Sequence, residues 1–187
     1  PKLVPLEFLK ELDAAPPGTW CAQPKIDGRR RYVYKKDGVY QWHAKNQDDS
    51  KPLPDDLKAQ FESLPWPDGI GLDCEWSGPR HKDGTDKLWV FDLLQWRGVW
   101  MGNNSFRDRY NDLFDVVYQI EQKHFRHDCF GLVKVSFNPG LLDRYAEQLL
   151  NPISEGLVVR KATSTMLGGI GKCKENPEWF KFKHRSI

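Results

Sequence analysis

The spacing of apolar side chains divides this sequence into short elements of both kinds. Leu3 to Leu12 carries apolar residues at helical spacing, and Pro16-Pro17-Gly18 ends that run. A strand from Trp20 follows and delivers Lys25 at its end, which puts the lysine at a strand-to-strand corner. From Arg29 to Ala44, polar and aromatic residues alternate around Lys36-Asp37-Gly38, the pattern of a β-hairpin. Arg30, Tyr32 and Tyr34 share one face of its first strand. Asp55 to Ser63 predicts a short helix, Leu72 to Trp76 a strand ending in two carboxylates on one face, and Leu88 to Leu94 an apolar strand that carries Phe91. Between the last two, Ser77 to Asp86 is rich in Gly, Pro and charge and reads as a loop. Ser105-Phe106-Arg107-Asp108 reads as a capping box opening a helix with Tyr110, Leu113, Phe114 and Val117 as its core stripe. Beyond it the pattern predicts a strand over Phe130 to Phe137, a helix over Leu141 to Leu150 and a buried strand over Glu155 to Arg160. In the last strand, Trp179 to Lys183, a period of two points Lys181 and Lys183 the same way. The mixture predicts an α+β fold without internal repeats.

Composition narrows the picture in three respects. A chain of 187 residues, 39% of them apolar, is long enough for one substantial core. The formal net charge is only +2, so any contact with nucleic acid rests on clusters such as Arg29-Arg30-Arg31 with Lys35-Lys36, or on the C-terminal lysines. Cys21, Cys74, Cys129 and Cys173 lie far apart with no C-x-x-C pair, which argues against a zinc ribbon and a compact disulfide scaffold and fits a reducing, intracellular compartment. No apolar run reaches membrane-spanning length and no signal-peptide pattern opens the chain, so no membrane partner is expected. The first residue is proline, as in a chain that has lost its initiator methionine or is an excerpt.

The richest chemistry lies in Lys25-Ile26-Asp27-Gly28-Arg29-Arg30, the spacing K-x-D-G-x-R. A free lysine, with a pKa of about 10.4, is protonated at neutral pH and cannot attack a phosphate until cationic neighbours or a metal lower it. Arg30 is such a neighbour, Asp27 can orient an ammonium, a metal or a hydroxyl, and Gly28 lets the backbone turn tightly beside a phosphate. The same residues also suit a polar turn entering a surface strand. Two other motifs read more plainly. Leu167-Gly168-Gly169-Ile170-Gly171-Lys172 is glycine-rich, but Cys173 stands where a P-loop needs Ser or Thr and Pro177 blocks an early helix. It reads as a flexible loop with Lys172 and Lys174 available to phosphates. His124, His127 and Cys129 are close in sequence, yet they follow a helix whose negative end favours cations, and they read as surface decoration.

Five segments in order, K-x-D-G-x-R, Leu72-Asp73-Cys74-Glu75-Trp76, Leu88 to Leu94, Glu155-Gly156-Leu157-Val158-Val159-Arg160 and Trp179-Phe180-Lys181-Phe182-Lys183, resemble motifs I, III, IIIa, IV and V of the covalent nucleotidyltransferase superfamily. That superfamily contains DNA ligases, RNA ligases and mRNA capping enzymes. A sixth segment, Ala44-Lys45-Asn46-Gln47-Asp48-Asp49, is similar to motif Ia of ATP-dependent DNA ligases, and the resemblance runs from about Trp20 to Lys183. Lys45-Asn46-Gln47-Asp48 and the tight block from Trp89 to Leu94 look more like the adenylation domain of small viral and phage DNA ligases than like a capping enzyme. The implied fold is two antiparallel β-sheets flanked by helices with a nucleotide cleft between them, ATP-grasp-like.

What the resemblance implies about function can be set on individual residues. Lys25 attacks the α-phosphate of ATP and forms a Lys25–AMP phosphoramide. Adenine stacks on Phe91, with its edge read by Gln23 and nearby backbone such as Ile26. Glu75 holds the ribose hydroxyls and Arg30 contacts sugar or phosphate. Lys45 belongs to the nucleotide site through motif Ia. Glu155, with Asp27 or Glu75, positions Mg2+ or Mn2+, while Lys181 and Lys183 neutralise the α-phosphate. AMP then passes to the 5′-phosphate of nicked duplex DNA and the strand is sealed. A monomer is implied, in the cytoplasm of a bacterial host or in a nucleus. Only 24 residues precede Lys25, so the upstream domain of nicotinamide-dependent ligases is not in this chain and ATP is preferred. A C-terminal OB-fold domain is likewise absent from residues 1–187 and is expected in the full-length protein or in trans. Gln23 stands where many ligases carry glutamate and Lys45 where arginine is common; the first bears on base selectivity, the second on bidentate phosphate binding. An RNA ligase, a capping guanylyltransferase and an inactive nucleotide- or nucleic-acid-binding module fit the same residues.

Overall fold

Helices form where apolar spacing and caps agree. In the computed structural model, which describes residues 1–44, 52–78, 86–124, 128–167 and 176–184, the first helix is α1, Leu6–Asp13, and not a run from Leu3. Pro5 stands at its N-cap in extended backbone, and Lys2–Leu3 form a short strand, β1, instead. Asp55–Glu62 (α2), Phe106–Lys123 (α3) and Leu141–Gln148 (α4) follow the other predicted helices closely. The architecture is α+β, and the chain divides into two units.

One unit comprises Pro1–Asp27, Asn104–Arg107 and Val133–Ile187. Its sheet runs β1-β11-β10-β2-β9, with β2 at Trp20–Ile26, β9 at Ser136–Phe137, β10 at Ser154–Lys161 and β11 at Trp179–Lys183. All neighbours are antiparallel except β1 against β11. The core gathers Leu9 and Leu12 of α1, Leu141 of α4, and Ala22, Leu157, Val159 and Phe182 of the central strands. Full burial of side chains such as Leu157 and Phe182 is worth about 1.5–3 kcal/mol each. Asp13 caps α4, its carboxylate accepting the amides of Gly140 and Leu141 at 2.7 and 2.8 Å.

The second unit comprises Gly28–Asn103 and Asp108–Leu132. Its strands, in the order β4-β3-β5-β6-β7, are Val39–Ala44, Arg29–Lys36, Gly71–Trp76, Leu88–Trp96 and Val99–Trp100, and β8, Phe130–Leu132, pairs β6 in parallel. The expected hairpin is β3–β4, turning at Asp37 and Gly38. Arg30, Tyr32 and Tyr34 lie on the opposite face from the buried Arg31 and Val33. Leu57 and Phe61 of α2 and Leu113, Val116, Val117 and Ile120 of α3 pack into the core with Leu72, Cys74 and Val90.

Two expectations need correcting. The strand over Phe130 to Phe137 is two strands, β8 and β9, which join different sheets. Phe114 does not belong to the core stripe of α3: it is half exposed and stacks on Tyr118, while Val116 and Ile120 complete the buried face.

Candidate active site

In the first unit the expected nucleophile is held by the expected carboxylate. Lys25 lies on β2, opposite a shift in the β2–β10 register between Ser154 and Leu157, where Glu155 and Gly156 together face this one residue. Lys25 Nζ forms an ion pair with Glu155 Oε1, and Lys183 Nζ approaches Glu155 Oε2 at 2.6 Å. One carboxylate therefore binds two ammonium groups. The three side chains are 22%, 26% and 41% exposed, which leaves the cluster open to solvent and to an incoming anion. Gly156 makes the arrangement sterically possible: its φ is 135°, and a Cβ there would collide with the Phe182 carbonyl of β11. Phe182 is buried, so its neighbours Lys181 and Lys183 both turn to the other face of β11. Lys181 lies opposite Val158 and forms no ion pair among the described residues. The amide of Asp27 donates to the Ile153 carbonyl at 2.9 Å, which fixes the chain just beyond Lys25.

Gln23 is committed within its own unit. Its Oε1 accepts from Arg160 Nη1 at 2.9 Å and its Nε2 donates to the Val133 carbonyl at 3.2 Å. Arg160 is buried, with its guanidinium 4.5 Å from the Phe106 ring and 4.8 Å from Trp179.

In the second unit, Arg30 is forked onto the buried carboxylate of Asp73, Nε to Oδ1 at 2.8 Å and Nη2 to Oδ2. Its guanidinium centre lies 5.4 Å from the centroid of Phe91 and 5.3 Å from that of Tyr32. Glu75 faces Arg30 across the β3–β5 register, yet the fork goes diagonally to Asp73. Gly28 has a packing reason in addition to any phosphate: a Cβ there would strike the Trp76 carbonyl and crowd Glu75. Phe91 and Glu75 are both half-buried.

The sequence reading missed two buried pairs, Arg160 with Gln23 and Arg109 with Asp92. The second was detectable, because Arg109 falls on the buried face of α3 together with Leu113, Val116 and Ile120. Cys129 is not surface decoration: it is buried, and burial pushes its thiol up to about 11. Asp128 pairs with Lys87. Lys45, Lys172, Cys173 and Lys174 lie outside the described residues, as does His127.

Among the described residues no three His, Cys, Asp or Glu side chains are grouped to hold a metal. Magnesium needs only one or two carboxylates when substrate phosphates supply the remaining ligands, so Glu155 suits an ion that arrives with a nucleotide better than a resident one. No helix among the described residues is long and apolar enough to cross a membrane.

No family model and no curated protein matches the chain. Solved structures do. A mycobacterial DNA ligase D complexed with ATP superposes with a TM-score of 0.65 and 18% identity, over 93% of this chain and 56% of that one. The ATP-dependent DNA ligase of bacteriophage T7, in complex with ATP, gives 0.60 and 17%, over 97% and 67%. The Chlorella virus DNA ligase-adenylate gives 0.60 and 18%, over 88% and 61%. At such identities the likeness establishes the fold, and the chain spans about half to two thirds of the length of these structures.

Proposed function

We propose that this chain is the adenylation domain of an ATP-dependent DNA ligase. The observation that carries the reading is the Lys25–Glu155–Lys183 cluster, a lysine and its carboxylate partner set beside a second cation on a fold shared with ATP-bound ligases. In the first step the neutral amine of Lys25 attacks the α-phosphorus. A P–N bond forms, the bond to the β-phosphate oxygen breaks, pyrophosphate leaves and the amine proton passes to solvent. Lys181 and Lys183 stabilise charge on the non-bridging oxygens as it builds up. Glu155, with Asp27 of the same unit, would hold the Mg2+ or Mn2+ that accompanies the nucleotide, and this ion would supply Lewis-acid charge neutralisation. An incoming metal–nucleotide would compete for the carboxylate that the free protein places on Lys25.

Phe91 offers a ring face to adenine, Glu75 binds the ribose, Arg30 holds the Phe91 side of that site, and Ile26 contributes backbone. Gln23 serves through its contacts with Arg160 and Val133, which fix the strand carrying Lys25. Lys45 belongs to the nucleotide site through its motif. AMP on Lys25 is then transferred to the 5′-phosphate of a nick, and the adjoining 3′-hydroxyl displaces it, so the partner is nicked duplex DNA and the acting unit a monomer. Incubation with labelled ATP, GTP or NAD and divalent metal, followed by denaturing electrophoresis, tests the first step. Label retained from ATP alone is expected; label from GTP alone would turn the assignment toward a capping enzyme, and none from any nucleotide toward a binding module. A nick already carrying 5′-AMP, in DNA or RNA, tests the last step separately.

A further inference from the structure

We propose that Tyr145 of α4 is a positioning residue for Lys183, the second cation of the Lys25–Glu155–Lys183 cluster; the catalytic half of this inference rests on the functional reading above. Every contact involved lies within the first unit. Lys183 Nζ approaches Glu155 Oε2 at 2.6 Å, and the next residue, His184, donates its amide to the Glu155 carbonyl at 3.1 Å. Tyr145 touches both of these residues. Its hydroxyl donates to the Lys183 carbonyl at 3.2 Å, and its ring meets that of His184 edge-on, with centroids 5.2 Å apart and planes at 87°. The two residues that grip Glu155 are thus themselves gripped from α4.

The path of the chain shows why a side chain is used there. Carbonyls two residues apart on a strand point to the same side. On that side of β11 the Lys181 carbonyl accepts the amide of Val4 at 3.2 Å, and the pairing with β1 ends at Lys181. Pro5 follows, with no amide hydrogen to give, and opens α1. The next carbonyl on the same side is that of Lys183, and the Tyr145 hydroxyl meets it. Helix α4 delivers the ring because Leu141, one turn earlier, is buried in the core of this unit and Tyr145 packs against the same core. On the other side of β11, Lys183 stands opposite Gly156, which has no side chain to brace a lysine stem. An ammonium on a flexible four-carbon stem, 41% exposed, then takes its aim from the strand that carries it. Holding the Lys183 carbonyl and the His184 ring fixes that strand end where Lys183 reaches Glu155.

The test uses the whole chain with two changes at one position. Tyr145→Phe keeps the ring and loses the donor, while 4-aminophenylalanine at position 145 keeps both. Circular dichroism checks that each folds, and hydrogen exchange of the His184 amide reports on the strand end directly. In Tyr145→Phe that amide should exchange about fivefold faster or more. The rate of self-adenylylation at saturating ATP should fall about fivefold, with the ATP concentration for half-maximal rate changed less than about twofold, because Lys183 acts on charge that builds up in the transition state. With 4-aminophenylalanine both readings should return to within about twofold of the wild-type chain, since a donor again meets the carbonyl. An unchanged His184 exchange rate, a loss that the restored donor does not rescue, or a loss confined to the ATP requirement overturns the inference while leaving adenylation intact. Failure of Tyr145→Phe to fold also overturns it, because the hydroxyl would then serve the stability of the whole unit. Faster exchange in a chain whose wild type forms no adenylate overturns the functional reading and leaves the positioning of Lys183 standing.

Discussion

Two carboxylates in this molecule each bind a cation, in opposite settings. Glu155 holds Lys25 and Lys183 where all three side chains keep a fifth or more of their surface exposed. Asp92 holds Arg109 where neither is more than 1% exposed. Water near the first cluster screens the attraction and can resolvate either partner, so a phosphate or a metal can part them at small cost. Parting the second leaves a bare charge in the core, which no ligand of ordinary affinity offsets. Exposure therefore separates a contact that can be exchanged during a reaction from one that can only support it.

The largest effect that would break this contrast is on stability. Arg109→Met should cost about 3–5 kcal/mol in urea unfolding, and adding Asp92→Leu should recover most of it. A cost under about 1 kcal/mol for the single variant would mean that the pair is as screened as the exposed one. Glu155→Ala should behave oppositely: stability changes by less than about 1 kcal/mol, while the rate of adenylate formation falls by about 100-fold or more and shifts its dependence on metal concentration. Smaller again is the effect of Phe91→Ala, expected to raise the ATP requirement about tenfold, against about twofold or less for Phe91→Tyr, because stacking needs only a ring face. Equal weakening by the two would dismiss the stacking role.

A further effect concerns pH. Burial raises the thiol of Cys74 well above its ordinary range and that of Cys129 to about 11. The unfolded thiols ionise near pH 8.5, so the folded form resists a deprotonation that the unfolded one undergoes. Their contribution is complete below that pH and is lost as pH rises toward the folded values. Unfolding free energy should decline above about pH 8.5 by up to about 1.4 kcal/mol per unit per thiol. Cys74→Ala should flatten the slope; an identical slope would assign the alkaline loss to other groups.

Much of this was legible in the sequence, and for identifiable reasons. Period-two alternation located β3 and β4 and put Lys181 and Lys183 of β11 on one face, with Phe182 buried between them, while β10 was legible as a buried apolar run. The boundary at Leu6 was lost because apolar spacing at Leu3 looks the same in an edge strand as in a first helical turn, and only Pro5 separates them. The break of Phe130 to Phe137 into β8 and β9 depends on which sheet each half joins, a long-range pairing that no local pattern encodes. Phe114 shows the same limit: an aromatic at nearly the right helical angle is left outside when Val116 and Ile120 fill the core. In the candidate site, residue types and order named Lys25 and Glu155, but the bulges at Glu155–Gly156 and Phe91 are properties of register and became visible only in the ladders.

The most direct measurement is the mass of the intact chain after exposure to ATP and magnesium, followed by peptide mapping. A gain of one AMP is expected, located on Lys25 and absent from Lys25→Ala. An adduct on any other lysine, or no adduct while the chain is folded and binds ATP, would contradict it.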